Sequence, residues 1–511
     1  MNIFDCLKIV SWSATQGSTM ISLQTRKSIS SAATKGPSTL LKRSLALTIL
    51  VCIGLFPCAY ATLYLTLGSF MLPTQLGFTL FVGYLCAFIG GSIVGYAGVA
   101  PLVGMLFAGV LLRNVGAVPG VSPSIVASEI RTLAVAIILA RAGMCLSFKS
   151  LQASKIAILA MGFIPSIAGA LLGTLFAYTI LGFPILWALT FGFGLASTSP
   201  AIIAPLTLSM SEKGYGNTNG LSSILLGALP LDIMVGVVGQ SVCLGTLTST
   251  GDKTLVYAHA PIEICSGIIG GLILACVVRL VSNIKTNNGT EKGMLFSVLL
   301  SISFMIALGT KMLGYTGAGA MANMFLWTSV ANFFDEADSA LFQIWMKTLW
   351  ISAEPLLFSV IGMSLSFTIV NSHTIGLIVA LIFAVESCRL FATFGTMKFI
   401  AKRELNECVY VAGKWSAKAT IQAALATAAL DAVKAAGSHP DDIVKANTTL
   451  VTYLLYIIIM APLAAVWVRF SMTKLLTSDL EYESLPHSES RKNSMSTLHE
   501  QNTSPDDFIS A

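Results

Sequence analysis

The residues able to do chemistry in this chain are few, and they lie where charge is expensive. Asp232 stands in GALPLDIMVGVVG, Glu386 and Arg389 share a second apolar run, and Lys414 and Lys418 lie in GKWSAKATIQAA. A charge at the centre of a bilayer costs about 2.5–3.5 kcal/mol on insertion scales, so each such group is a functional hypothesis by default. Asp232 has no other charge within one turn of its own helix. A carboxylate in a low-dielectric cavity can trade a proton for a hard, oxygen-seeking cation. The structural alternative is a carboxylate satisfied by a neighbouring helix. Glu386 and Arg389 are three residues apart on one helix face, a spacing that predicts a local ion pair. Lys414 is expected to snorkel toward the interface, whereas Lys418 lies deeper, beside Thr420 and Gln422.

Two segments read as poor continuous helices. In LASTSPAIIAP, Thr198 and Ser199 precede Pro200, and Pro205 follows one turn later. Proline removes a backbone donor and clashes with the preceding turn. Irregular backbone is tolerated in a membrane only where protein buries it or it lines a cavity. A polar interruption recurs at GKWSAKATIQAA, around Lys418 and Thr420. Paired discontinuous helices in two halves of a chain are the sequence pointer to a transporter built from inverted repeats.

The elements that must position these groups follow from composition. Of 511 residues, 55% are hydrophobic and only 11% charged, with a mean hydropathy of +0.80. Soluble domains carry about 25% charged residues, so a soluble enzyme, a nucleic-acid binder and a disordered scaffold are excluded. The apolar residues come in blocks of about 20, the length that crosses the hydrocarbon layer. The reading is an all-α polytopic membrane protein with 14 spans, at about 44–67, 75–97, 99–112, 129–148, 155–181, 186–208, 219–245, 262–281, 294–312, 316–333, 343–368, 374–396, 408–430 and 448–468. Residues 1–43 are a basic tail, 44–470 the membrane domain, and 471–511 a polar tail expected to be disordered. Lys149, Lys155, Lys285, Lys292, Lys398, Lys402, Arg403 and Lys474 all fall on the side of the N-terminus, which places both termini in the cytoplasm. The basic, Ser-rich start also fits a mitochondrial presequence. The membrane is therefore read as plasma membrane or endomembrane, with the mitochondrial inner membrane as the alternative. Ten scattered cysteines with no C-x-x-C pair predict neither disulfides nor a structural metal. No nucleophile–base set or nucleotide loop is present, so neither an enzyme nor a cofactor is expected.

Several ordered segments carry a resemblance: LVGMLFAGVLLRNVG, IILARAGMCLS, SPAIIAP followed by GYG, EPLLFSVIG and KATIQAALATAALD. From about Pro101 to Pro462 the chain resembles the NHA subfamily of sodium/proton antiporters (solute carrier family 9, subfamily B). The resemblance implies an NhaA-like fold of 14 helices with inverted repeats and two broken crossing helices. It implies a transport core at about 155–245 and 374–468, a dimer panel at about 75–148 and 262–368, and a homodimer in the bilayer. Arg389 and Lys418 align with basic residues of the family's core. Two departures stand out. The family usually places two adjacent aspartates where this chain has Asp232 and Ile233. Related animal proteins carry a glutamate at the position of Gly169, and Glu386 is expected to take its place beside Arg389.

The function expected is a sodium or lithium/proton antiporter working by alternating access. Asp232 binds the transported cation with oxygens of Thr198 and Ser199, while Arg389, Glu386 and Lys418 compensate charge around the breaks at Pro200, Pro205 and Thr420. Two alternatives stand beside it. One is a carrier for an organic anion, motivated by the excess of Arg389, Lys414 and Lys418 over core acids. The other is a transport-inactive regulatory subunit, motivated by Ile233.

Overall fold

Apolar stretches without polar loops of any length leave the backbone one way to satisfy itself in lipid, which is helix. The computed structural model describes residues 54, 56–73, 75–96, 100–117, 125–216, 220–248, 253–282, 289–365, 372–435, 437 and 440–478. Among these residues the elements are helices and turns, with one isolated bridge between Tyr215 and Ser478. Nine helices among them are long and apolar enough to cross a membrane. The basic tail at 1–43 and most of the C-terminal tail lie outside the described residues.

The chain divides after Leu72. In the first unit, helix α1 (Phe56–Leu67) runs into a 3-10 turn at Gly68–Met71. Tyr60 Oη donates to the Met71 carbonyl at 3.0 Å and closes that turn.

The second unit contains everything that positions the polar residues. It begins with α2 (Leu76–Tyr96), α3 (Pro101–Asn114), α4 (Ile125–Met144), the short α5 (Phe148–Ala153) and α6 (Lys155–Thr179). Then follow α7 (Ile185–Ala196), α8 (Pro200–Glu212), α9 (Leu221–Thr248), α10 (Lys253–Ser282), α11 (Gly289–Met312), α12 (Thr316–Phe333) and α13 (Glu336–Met363). The last group is α14 (Ser372–Gly395), extended by a π-helical turn at Thr396–Ile400, then α15 (Leu405–Trp415), α16 (Thr420–Ala426), α17 (Ala428–Ala435) and α18 (Pro440–Leu475). Each span expected within this unit coincides with one helix or with a broken pair. The last helix continues through Leu475, past the boundary expected at 470, because Ser471 and Met472 are still buried.

Two sets of helices emerge from the packing. In one, α6 packs on α7, α9 and α14, while α18 packs on α15, α16 and α17. In the other, α13 packs on α2, α3 and α4, and α12 on α4, α10 and α11. Contacts of α4 with α16 and of α9 with α12 join the sets. Helices α6 to α9 and α14 to α18 share one plan: a long helix, a broken helix, then another long helix.

Ion pairs respect the sidedness expected from the basic loops. Arg131 of α4 pairs with Asp431 of α17, and Lys311 of α11 reaches Glu129 Oε1 of α4 at 2.9 Å, all on the side read as external. Lys292 pairs with Asp338 on the opposite side. Glu263, buried on α10, accepts the Gly317 N–H at the start of α12. A carboxylate there answers the positive end of the helix.

Candidate functional site

The site is made by two interruptions of helix that cross. Helix α7 stops at Ala196, Ser197 and Ser199 adopt extended backbone, and α8 restarts with Pro200 as its first residue. Proline suits that position because its missing N–H would be an orphan donor anyway. Pro205 lies inside α8 and is exposed, so only Pro200 marks the break, contrary to the expectation that both prolines do. In the second half, α15 stops at Trp415 and α16 restarts at Thr420. The two irregular segments bind each other directly. Ser199 N–H donates to the Ala417 carbonyl at 2.9 Å, Thr198 Oγ1 donates to the Trp415 carbonyl at 3.2 Å, and the hydroxyls of Ser199 and Thr420 share a hydrogen bond of 3.2 Å. Several backbone groups freed by the breaks thus find partners in the opposite segment.

The close approach has a steric requirement. A Cβ at Gly236, one turn beyond Asp232 on α9, would lie 1.9 Å from Ser197 Oγ. Any side chain there would push Ser197 Oγ aside, with the Phe193 carbonyl 3.0 Å from the same point. With glycine in place, Ser197 Oγ hydrogen-bonds the carbonyls of Asp232 and Ile233 at 3.4 and 3.3 Å.

Lys418 answers the negative end of α7. Its fully buried Nζ donates to the carbonyls of Leu195, Ala196 and Ser197 at 3.0, 3.1 and 2.8 Å. Gln422 Nε2 adds a bond of 2.7 Å to Ser197 O. The last carbonyls of a helix have no intrahelical partner, and a cation there also opposes the macrodipole.

Asp232 sits beside this crossing, completely buried. Its Oδ1 accepts from Ser166 of α6, from Arg389 Nη2 at 3.0 Å and from Trp415 Nε1 at 3.2 Å, and its Oδ2 accepts the Thr198 N–H. Arg389 Nη2 also donates to Thr198 Oγ1. The carboxylate thus lies against the first break, with a guanidinium as its counter-charge. The Ser199 hydroxyl faces Thr420 rather than Asp232.

The local ion pair expected between Glu386 and Arg389 is not formed. Arg389 reaches across to Asp232, where Thr198 offers its hydroxyl as well, while Glu386 accepts from Tyr456 of α18. Lys414 is fully buried instead of snorkelling. Its Nζ lies 3.9 Å from Met210 Sδ and 5.4 Å from the centre of the Tyr410 ring. Ile233 is fully buried within the apolar core.

Sequence reasoning missed Ser166, Trp415 and Tyr456. Ser166 had one signal: it is the lone hydroxyl in FIPSIAGALLG, on the helix that also carries Gly169. On the side read as cytoplasmic, a cavity of about 30 Å3 opens next to the crossing, between Arg141, Cys145 and Trp350 and the restarting helices at Pro200 and Thr420. That is room for about one water molecule. Among the described residues no cluster of His, Cys, Asp or Glu has the arrangement of a resident metal site.

Comparisons with known proteins agree with this architecture. The family described as sodium/hydrogen exchanger, transmembrane, has a sequence model that matches residues 77–474. Human sodium/hydrogen exchanger 9B1 is 30% identical over 424 residues, covering 80% of each chain. Human sodium/hydrogen exchanger 9B2 is 27% identical over 428 residues, covering 82% of this chain and 78% of its own. Among solved structures, the sodium proton antiporter MjNhaP1 from Methanocaldococcus jannaschii superposes with a TM-score of 0.61 at 18% identity, covering 78% of this chain and 97% of that one. At that identity the likeness speaks to fold, and it is the same arrangement of helices. With a family match running from α2 to the end of α18 and relatives aligned over four-fifths of their length, the chain belongs to the sodium/hydrogen exchanger family, in its NHA-type branch.

Proposed function

We propose that this protein exchanges sodium or lithium for protons by alternating access, with Asp232 as the carboxylate that meets the cation. The observation carrying this reading is the placement of one buried carboxylate against a broken helix, with its charge balanced by a side chain that another positive charge could replace. Sodium, lithium and a proton all compete for the same oxygens, so one excludes the other, and exclusion is what couples their movements. Thr198 Oγ1 and water complete the cation's oxygen set. Ser199 contributes after its bond to Thr420 is released. Arginine stays protonated throughout, and Asp232 offers one negative charge, so the exchange is one for one and electroneutral. Membership of an exchanger family and the names of the 9B relatives support the choice of ions. The ion pair between Arg131 and Asp431 ties the two helix sets on one side of the crossing, and a small cavity lies on the other. The panel formed around α2, α3, α10 and α13 is proposed to join two copies in the bilayer.

The test is radiotracer sodium uptake into proteoliposomes, driven by an imposed proton gradient. Asp232→Asn is expected to lower uptake to the level of empty vesicles, because the amide can neither hold a proton nor answer a cation's charge. Undiminished uptake would remove Asp232 from the mechanism. A current that reverses with voltage would remove electroneutrality.

One observation favours a second reading, a transport-inactive regulatory subunit. Asp232 already has four donors, and Ile233 is committed to the core. On that reading wild-type uptake equals the blank and Asp232→Asn changes nothing. The motive for an organic-anion carrier is weakened, since Arg389 is spent on Asp232 and Lys418 on three carbonyls.

A further inference from the structure

Arg389 and a metal cation compete for the single negative charge of Asp232. The guanidinium keeps its charge, and a buried charge without a partner is strongly unfavourable. On displacement it needs a second acceptor within reach of its own side chain.

Such an acceptor is present one turn away. Glu386 is 2% exposed and lies three residues before Arg389, on the same face of α14. Its Oε2 accepts from Tyr456, but its Oε1 is buried with no hydrogen-bond partner. Arg389 has the complementary deficit, since Nε and Nη1 are buried and unpartnered. An unmatched acceptor and two unmatched donors on neighbouring turns are unusual, because nearly all buried polar groups are paired. The edge of the guanidinium that bears Nη1 faces Gly169 of α6. A Cβ there would stand 3.5 Å from Arg389 Nη1 and 3.6 Å from Cδ, so the bare glycine leaves that edge uncrowded. Lys418 does not compete for Glu386, because its ammonium is held by carbonyls and lies over the Tyr456 ring at 5.4 Å from its centre.

We propose that Glu386 is the second station of Arg389: the guanidinium bonds Asp232 in the empty site and turns onto Glu386 Oε1 when the alkali cation takes Asp232. The proposal rests on the exchanger reading. Glu386 is a positioning residue, since it touches neither ion. Its effect falls on apparent affinity. Without the second station, Arg389 stays on Asp232, and the cation binds only the fraction of protein in which it has left.

The experiment measures sodium dependence of proton-driven uptake for the full chain in proteoliposomes. Glu386→Gln is expected to raise the KM for sodium about tenfold with maximal rate little changed, the signature of lost binding rather than lost turnover. Tyr456→Phe, which removes the bond to Glu386 but leaves the acceptor, is expected to keep the wild-type KM. Adding Gly169→Glu to Glu386→Gln supplies a carboxylate on the other edge of the guanidinium and is expected to restore the KM. An unchanged KM in Glu386→Gln overturns the proposal while leaving the exchanger reading in place. A rise reproduced by Tyr456→Phe, or not reversed by Gly169→Glu, assigns Glu386 a packing role and overturns it too. If Glu386→Gln does not fold, Glu386→Leu combined with Tyr456→Phe, which removes both partners of that hydrogen bond, decides. It raises the KM for sodium if Glu386 is the second station and leaves it unchanged otherwise. Wild-type protein that takes up no sodium at all removes the exchanger reading, and the proposal with it.

Discussion

The two buried lysines separate what a charge does in a membrane from what it is for. Lys418 Nζ makes three bonds to carbonyls at the end of α7, two of which, Leu195 and Ala196, have no bond from Gln422 Nε2. Lys418→Met is expected to leave those two unsatisfied at about 1–3 kcal/mol each, so roughly 2–6 kcal/mol of stability is lost. Among the described residues, the Lys414 ammonium meets a thioether and an aromatic ring. Lys414→Met is therefore expected to be neutral or stabilising, since apolar replacements of poorly compensated buried charge often gain about 1–4 kcal/mol. Thermal melting in detergent of both variants checks the pair; equal losses would mean that Lys414 has an ionic partner. Asp232, Arg389 and Lys418 were legible from sequence because charge stands out in an apolar run. Ser166 and Trp415 were not, because serine and tryptophan are ordinary membrane residues, and only the fold turns them toward Asp232. Lys414 was misread as interfacial because depth along a broken helix is not set by its position in the hydropathy trace.

Breaks are the elements on which the site depends, and their positions came from proline and hydroxyl chemistry. The split at 197–199 follows from Pro200, and the split at 416–419 from the polar interruption around Lys418. What the sequence did not disclose is how closely the broken segments approach α9. Gly236→Ala would place a methyl 1.9 Å from Ser197 Oγ. The expected cost is about 1–3 kcal/mol, the usual penalty for overpacking, together with a larger loss of sodium uptake, because the displaced segment carries the Thr198 N–H that holds Asp232. Melting temperature and uptake measured on the same preparation check both, and unchanged uptake would show that the site tolerates a wider crossing. Helix α5 and the π-helical turn after α14 went unread, since hydropathy reports burial in lipid and not helix pitch or surface-lying segments.

At the scale of the whole second unit, the two helix sets are joined by charged as well as apolar contacts. Arg131 of α4 and Asp431 of α17 form one of them, with Arg131 itself buried. Breaking that pair by Arg131→Met is expected to weaken closure on the side read as external and to shift the population away from the state described here. Cys145, partly buried at the opposite cavity, reports the shift. With the other cysteines replaced, its alkylation is expected to slow by roughly threefold in Arg131→Met, in proportion to the loss of this state. Alkylation at the wild-type rate would mean that the pair does not set the balance. Which helices pack together was not visible in the hydropathy pattern, because hydropathy gives the number of spans but not their neighbours.

The bond from Ser199 N–H to the Ala417 carbonyl stitches the first repeat to the second at their midpoints. Lys418 reinforces that seam from α16's side with three bonds into α7. Halves fastened in this way cannot part like a pair of doors without tearing out several buried bonds. On the exchanger reading, a stroke that spares those bonds moves cradle and passenger together, as a single carriage along the other helices.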